Sequence, residues 1–405
     1  MSLPSLRTLV LLYALTGALA GAISLWADAS LNLEVFRAAS VALWEQHDIY
    51  AAVPYDLYKY SPSFALLFTP FALLPRGVAA VLWPALGFAI AASGMTCLSR
   101  SLASASTPTA LDPRRVLVFA WPGIVLATDG DQSNMLMAGM CFLALAALAD
   151  AREVRAGLAL ALAIAIKLFP AAFVLFLPLS KRPLRAFAAL GVSLVVLTLA
   201  PMVVVGPHGL LALLWAWWAL LVRDRGPQRG EDTNWSIAHA LDFEAGAAGM
   251  EHAGLAQAIG TALLVLAAVA VGVVQWRLRT SLRNDASSVS VGTARASLVV
   301  ITLAYLVLFN HRSESTTFVL SAWAAALYLA QTPQPKAWQW ALLVLVTLAP
   351  GPFYVAASDR VSIASFLGAK RLFHPLRVVP LSLLWIAAQA RLASQLRGLR
   401  PSEVI

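Results

Sequence analysis

The chain has 405 residues, of which 60% are hydrophobic and 12% are charged, with a net charge of +9. Soluble domains carry roughly 25% charged residues, so this composition excludes a water-soluble fold and predicts a polytopic all-α protein with about 10–12 membrane helices. The basic residues lie mostly in short loops between apolar runs. This distribution is typical of topology signals and of contacts with membrane lipids, and it excludes nucleic acid as a partner.

The first predicted elements are a membrane helix over residues 9–26 and an external loop over residues 27–61. The loop holds five acidic residues against Arg37 and Lys59, and the positive-inside trend therefore places it outside. Residues 31–50 have apolar side chains at helical spacing opposite a polar face, which predicts an amphipathic helix on the external membrane surface. No soluble segment is evident, so residues 1–405 are predicted to form one membrane domain.

The stretch YDLYKYSP, residues 55–62, leads the chain from that loop back into the membrane. Pro62 suits the first turn of a helix, and the tyrosines, Tyr60 among them, suit the interfacial belt. Asp56 and Lys59 are explained less well by such a position. They are either harmless interfacial charges or site residues, and the sequence leaves both interpretations open.

A polar stretch, GDQSN, separates the apolar segments predicted at residues 116–129 and 133–150. If the basic clusters on both sides are cytoplasmic, this stretch is the outward tip of a hairpin, whereas strict alternation of full spans places it inside. Asp131, Gln132 and Asn134 are therefore either helix-capping residues or acceptors for sugar hydroxyls in a water-filled cavity.

Lys167 lies within the apolar run predicted at residues 158–179. The basic residues that bracket it leave arms of about 11 residues, or about 16 Å, roughly half of a ~30 Å hydrocarbon core. We expect a short hairpin with Pro170 at its tip and Lys167 facing a polar cavity, where an ammonium group would bind phosphate. The alternative is a lysine that snorkels to the interface.

A further membrane segment is predicted over residues 186–206, followed by an external loop over residues 207–254. This loop begins with a tryptophan-rich run that is either an interfacial helix or a plain membrane span. Its polar part contains DTNWS, which includes Asn234.

The stretch FNHRSES, residues 309–315, interrupts two apolar segments and predicts a helical hairpin. Turn chemistry alone would favour Asn, Ser or Gly there. A histidine beside a carboxylate is a general-base pattern, and arginine binds phosphate, so Asn310, His311, Arg312 and Glu314 are either site residues or a solvated turn.

Taken in order and spacing, the motifs NLEVF, YKYSPSFALLFTPFALLP, GDQSN, AIKLFP, DTNWSIAHAL and FNHRSES resemble glycosyltransferase family 87, membrane enzymes of the GT-C fold that include mannosyltransferases. The resemblance implies transfer of a sugar, with mannose as the candidate, from a polyprenyl-phosphate monosaccharide to a lipid or glycan acceptor. It places the protein in the inner (plasma) membrane with its site facing the exterior. Inversion at the anomeric carbon is assumed. No cofactor is indicated, and a divalent metal is left open.

The resemblance also assigns roles to residues. The family typically carries an aspartate base where this chain has Asn32, and an amide cannot take a proton. The candidate catalytic residues are therefore Asp56, Glu34, His311 and Glu314. The expected substrate-binding residues are Asn32, Lys59, Tyr60, Asp131, Gln132, Asn134, Lys167, Asn234, Asn310 and Arg312, and no metal ligands are predicted.

Two other functions fit the same sequence. A transporter or flippase of lipid-linked sugars would also place charged residues in broken membrane segments, although no internal repeat is visible. A catalytically inactive homologue that only binds substrate would also account for Asn32.

Overall fold

The computed structural model of the protein describes residues 3–29, 31–50, 57–103, 111–128, 131–223, 236–237, 247–280, 286–310, 313–348 and 370–398. All regular secondary structure in these ranges is helical, which confirms the all-α class. The helices are α1 (Leu6–Trp26), α2 (Leu31–Trp44), α3 (Pro62–Ala72), α4 (Arg76–Leu102), α5 (Pro113–Ala127), α6 (Asn134–Ala149), α7 (Glu153–Ile166), the 3-10 helix Phe169–Leu179, α8 (Pro183–Leu199), α9 (Met202–Arg223), α10 (Ala247–Thr280), α11 (Ala286–Leu308), the 3-10 helix Ser315–Phe318, α12 (Val319–Ala330), α13 (Ala337–Leu348) and α14 (Lys370–Gly398).

Several of these helices are membrane segments. Within the described ranges, four are long and apolar enough to span a bilayer: Leu6–Trp26, Arg76–Leu102, Met202–Arg223 and Gly254–Val273. Shorter apolar helices of 10–17 residues accompany them. The lengths and the apolar composition confirm a polytopic membrane protein.

The chain divides into two compact units. Unit A comprises Ser5–Leu98 and Thr128–Gly226, and unit B comprises Met1–Pro4, Ser99–Ala127 and Pro227–Ile405. The two helices predicted to flank GDQSN belong to different units, because α5 packs on α12 in unit B and α6 packs on α7 in unit A. The organisation of residues 1–405 as one domain stays a prediction.

Unit A is held together by an aromatic core and by close helix contacts. The predicted amphipathic helix is present as α2, which buries Leu33, Phe36 and Leu43 and packs on α3. Phe36 contacts the rings of Phe64 and Phe68 with centroids 5.2 and 5.4 Å apart. This helix therefore contributes to the core of unit A through one face.

The predicted short hairpin is also present. The run 158–179 is interrupted, because α7 ends at Ile166, Lys167 is extended and a 3-10 helix begins at Phe169. Ser180, directly after that helix, donates from Oγ to Oε1 of Glu153 at the start of α7 (3.1 Å), so the second arm returns along the first. The chain turns at Lys167, three residues before Pro170, because Pro170 occupies the first turn of the returning arm, where a missing N–H costs nothing.

The tryptophan-rich run belongs to α9. This helix begins at Met202, after Pro201, and contains a kink at Gly206, whose φ of 69° lies in the left-handed region that favours glycine. The segment predicted over 186–206 is therefore shorter, with α8 ending at Leu199. The part of the predicted external loop from residue 224 to 235, and with it Asn234, lies outside the described residues.

Unit B is built around α12. Every residue of this helix, Val319–Ala330, is buried, and it packs against α5, α11 and α13. The hairpin predicted around FNHRSES is confirmed, since α11 and α12 contact each other on either side of this turn.

Candidate functional site

Asp131 links two helix starts in unit A. Its Oδ2 accepts a hydrogen bond of 2.7 Å from the backbone N–H of Leu33, the third residue of α2. The first N–H groups of a helix have no partner within the helix and carry partial positive charge, so a carboxylate is a favourable cap there. Asp131 is only 1% exposed, and its backbone carbonyl accepts a hydrogen bond of 3.0 Å from Nε1 of Trp83. The helix-cap interpretation is thus correct, but the capped helix is α2, and Asn32 lies beside this contact.

Lys167 is directed toward the start of α6. Its Nζ donates to Oδ1 of Asn134 at 2.7 Å, and Asn134 is the first residue of that helix. The same Nζ lies 5.7 Å from the ring centroid of Tyr60 and 6.0 Å from that of Phe169, within the range of cation–π attraction. The ammonium group is therefore held by an amide and two aromatic faces at the hairpin tip.

The tyrosine-rich loop positions Tyr60. The hydroxyl of Tyr50 donates to the carbonyl of Tyr60 (3.1 Å), and the hydroxyl of Tyr58 donates to the carbonyl of Ser61 (2.8 Å). Burial raises the pKa of the Tyr58 phenol well above its usual value, and burial, with Asp48 adding to it, also raises that of Tyr50, so both hydroxyls stay protonated donors.

Two contacts attach this loop to its surroundings. Ser61 donates from Oγ to the carbonyl of Ala165 near the hairpin tip (2.6 Å), and the same oxygen accepts the N–H of Phe64 as the N-cap of α3. Nε1 of Trp217 in α9 donates to the carbonyl of Lys59 at 3.2 Å. The backbone of residues 59–61 is therefore fixed from two sides.

The two residues before Asn134 add buried polar atoms. Among the described residues, Oε1 of Gln132 and Oγ of Ser133 have no hydrogen-bond partner although both atoms are buried. Buried polar atoms are nearly always hydrogen-bonded in folded proteins, and unpaired ones are frequently found where a ligand or water binds.

Glu34 has a different environment. Its Oε1 accepts a hydrogen bond of 2.6 Å from Nε of Arg76, which also contacts Asp28 at 3.1 Å. This ion pair joins the start of α2 to the start of α4. To act as a base, Glu34 would have to function beside the Arg76 guanidinium.

Of the remaining candidates, two belong to unit B and four lie outside the described residues. Asn310, two residues after α11, and Glu314, which precedes the 3-10 helix Ser315–Phe318, belong to unit B, and Glu314 is exposed. Asp56, Asn234, His311 and Arg312 lie outside the described residues. Within the ranges that the structure covers, no group of three or more His, Cys, Asp or Glu residues could hold a metal ion.

Unit A thus brings together several predicted residues that are far apart in sequence. They come from the loop before α3, the start of α6 and the tip of the α7 hairpin: Tyr60, Asp131, Asn134 and Lys167. The start of α2 joins them through the contact of Leu33, the neighbour of Asn32, with Asp131. Sequence reasoning missed two supporting residues. Ser61 carried a signal, since a serine before Pro62 is a typical N-cap, whereas Trp83 carried none.

Comparison with known proteins identifies the family of the chain. The family model described as Glycosyltransferase family 87 matches residues 58–308, which is more than half of the chain. The matched region includes Tyr60, Asp131, Asn134 and Lys167. No curated protein matches the chain. The chain therefore belongs to glycosyltransferase family 87 and is a membrane glycosyltransferase, which implies a sugar donor and an acceptor as its substrates.

Proposed function

We propose that the protein transfers a sugar from a polyprenyl-phosphate monosaccharide to a lipid or glycan acceptor, and that Lys167 binds the phosphate of the donor. The observation that carries this proposal is the position of the ammonium group, 2.7 Å from Asn134 and over the ring of Tyr60. A lysine held in this way presents a localised positive charge to a phosphate. Placing this charge in an apolar protein costs less free energy when an anionic ligand is bound beside it.

The start of α6 provides the groups for the sugar. Gln132 and Ser133 have buried polar atoms without partners among the described residues, and Asp131 and Asn134 lie directly beside them. Sugar hydroxyls both donate and accept hydrogen bonds, so carboxylate, amide and hydroxyl groups in one short segment suit them. Mannose is the candidate sugar, from the family resemblance alone.

The reaction requires one base. It removes the proton of the acceptor hydroxyl, whose oxygen attacks the anomeric carbon while the bond between that carbon and the phosphate oxygen breaks. The lipid phosphate leaves as an anion, so no general acid is needed, and Lys167 stabilises the developing charge. The candidate bases are Asp56, Glu34, His311 and Glu314. The site faces the exterior of the plasma membrane in this proposal. Inversion at the anomeric carbon is assumed. No cofactor is invoked.

A transfer assay with purified protein in detergent tests the role of Lys167. We expect Lys167→Ala to lower kcat/KM for the lipid donor by roughly 100-fold, because an electrostatic contact to the leaving phosphate is lost, and Lys167→Arg to retain part of the activity. Lys181→Ala is the matched control, since Lys181 is an exposed lysine beyond the far end of the same hairpin. Wild-type activity of Lys167→Ala would refute the proposed role.

Two outcomes would favour the other functions. Movement of a lipid-linked sugar across sealed liposomes without any sugar transfer would indicate a transporter. Sugar transfer by Asn32→Asp but not by the wild-type protein would indicate an inactive homologue that lacks the base.

A further inference from the structure

Two arginines from different helices meet at the end of α12 in unit B. Nη2 of Arg115 in α5 donates to the carbonyl of Thr332 at 3.0 Å, and Nη2 of Arg391 in α14 donates to Oγ1 of the same threonine at 2.9 Å. Arg391 also donates from Nη1 to the carbonyl of Tyr328. We call Arg115 and Arg391 the arginine pair, and both side chains are half-buried.

Among the described residues, the arginine pair has no direct ion-pair partner. In the part of the chain that the structure describes, no carboxylate lies within 4.0 Å of either guanidinium group. The carboxyl end of α12 supplies only about half of a negative charge, against two positive charges. Arg114, the neighbour of Arg115 in α5, differs in this respect because it forms an ion pair of 2.8 Å with Asp112.

The aromatic side chains around the arginine pair are typical of residues at a membrane interface. Cζ of Arg391 lies 3.6 Å from the ring centroid of Tyr328, which is 6.5 Å from that of Trp338. Cζ of Arg115 lies 5.6 Å from the ring centroid of Phe119, which packs in a T-shaped arrangement with Trp340, with centroids 5.1 Å apart.

Both tryptophans are accessible, with Trp338 51% and Trp340 40% exposed. Exposed tryptophans of membrane proteins concentrate at the level of the lipid headgroups. Exposed tryptophans beside the arginine pair are therefore the pattern expected where lipid phosphates lie.

We propose that the arginine pair binds the phosphate of an anionic phospholipid from the surrounding membrane. A guanidinium group has five N–H donors in a planar fork that matches phosphate oxygens. The described contacts use one donor of Arg115 and two of Arg391. A phosphate bound across both groups would neutralise their mutual repulsion and join α5 to α14. This site is separate from the proposed transfer chemistry and does not depend on it.

The test measures which lipids the full-length protein retains in detergent and which of them stabilise it when added back. Native mass spectrometry would count bound phosphatidylglycerol and phosphatidylcholine, and the thermal midpoint would be followed as each lipid is added. We expect the wild-type protein to retain phosphatidylglycerol selectively and to be stabilised by it. Arg115→Gln and Arg391→Gln should each weaken this binding by about tenfold or more, since a charge-assisted bidentate contact is lost.

Arg114→Gln is the matched control, because it removes the same charge one residue away but from an arginine that already has a carboxylate partner. It should retain phosphatidylglycerol as the wild type does. Equal loss of phosphatidylglycerol binding in Arg114→Gln and Arg115→Gln would show that general surface charge attracts the lipid, and would overturn the proposal. So would a wild-type protein that does not discriminate between the two lipids, and this last result requires no variant to fold.

Discussion

At the scale of single residues, Asp131 connects two parts of the site. It joins the start of α6 to the start of α2, although the two contacting residues are 98 positions apart in the sequence. The neighbouring Asn32 and the Lys167–Asn134 hydrogen bond are therefore positioned by one buried carboxylate as well as by the helices themselves.

Replacement of Asp131 should separate its capping role from its charge. Asp131→Ala leaves the N–H of Leu33 buried without its acceptor and should lower the free energy of unfolding by about 1–3 kcal/mol. Asp131→Asn keeps an acceptor oxygen and should cost about 1 kcal/mol or less, mainly through the lost charge–dipole attraction. Thermal unfolding in detergent measures both, and equal effects of the two substitutions would contradict a capping role.

Glu34 and Arg76 allow one candidate base to be tested with an internal control. Both Glu34→Gln and Arg76→Gln break the same ion pair, which is partly exposed and should contribute at most about 1 kcal/mol to stability. If Glu34 is the base, Glu34→Gln should lower kcat by about 100-fold or more, whereas Arg76→Gln should not. Equal rates of sugar transfer by the two variants would remove Glu34 from the candidates.

At the scale of elements, glycine allows α4 and α6 to approach each other closely. A Cβ atom on Gly139 would lie 2.7 Å from the backbone nitrogen of Ala91, closer than carbon atoms tolerate. Small residues at such contacts are typical of packed membrane helices. Because α6 also carries Asn134, this packing determines where the partner of Lys167 lies.

Gly139→Ala should therefore lower stability by about 1–3 kcal/mol, because the added methyl group meets backbone rather than a flexible side chain. Gly191→Ala is the control, since Gly191 is also helical and has nothing within 4 Å of an added Cβ. It should be neutral or slightly stabilising, as expected from helix propensity. Thermal midpoints of the two variants in the same detergent provide the comparison, and equal losses would contradict the close approach.

Local patterns in the sequence were sufficient to predict some elements of the fold. Helical spacing revealed α2, and the short arms around Lys167 revealed the hairpin, because both signals are local. The partner of α5 was not predictable in this way: α5 and α6 flank GDQSN but pack in different units, since an apolar run does not specify which helix it contacts. For the same reason, the role of Asp131 as a cap for a helix distant in sequence was visible only in three dimensions.

At the scale of the whole molecule, the distribution of charge predicts which loops face outside. The acidic first loop should be external, and the basic segment at residues 180–185 should be cytoplasmic. The observed hairpin fits this topology, since its two ends, at Glu153 and Ser180, lie together.

Cysteine labelling of intact cells tests this topology. In a Cys97→Ser background, we expect Gln46→Cys, at an exposed position after α2, to react with a membrane-impermeant maleimide. Lys181→Cys, equally exposed, should react only after the cells are permeabilised. The reverse pattern would contradict an external site.

Photo-crosslinking tests whether Lys167 and the start of α6 bind the phosphate of a polyprenyl-phosphate donor. A polyprenyl phosphate with a diazirine next to the phosphate would be bound to the purified protein and irradiated, and the labelled peptides would be identified by mass spectrometry. We expect labelling of the segments around residues 131–134 and 165–169, with strong reduction in Lys167→Ala but not in Lys181→Ala. Labelling that omits both segments, or that Lys167→Ala leaves unchanged, would rule out phosphate binding at this site.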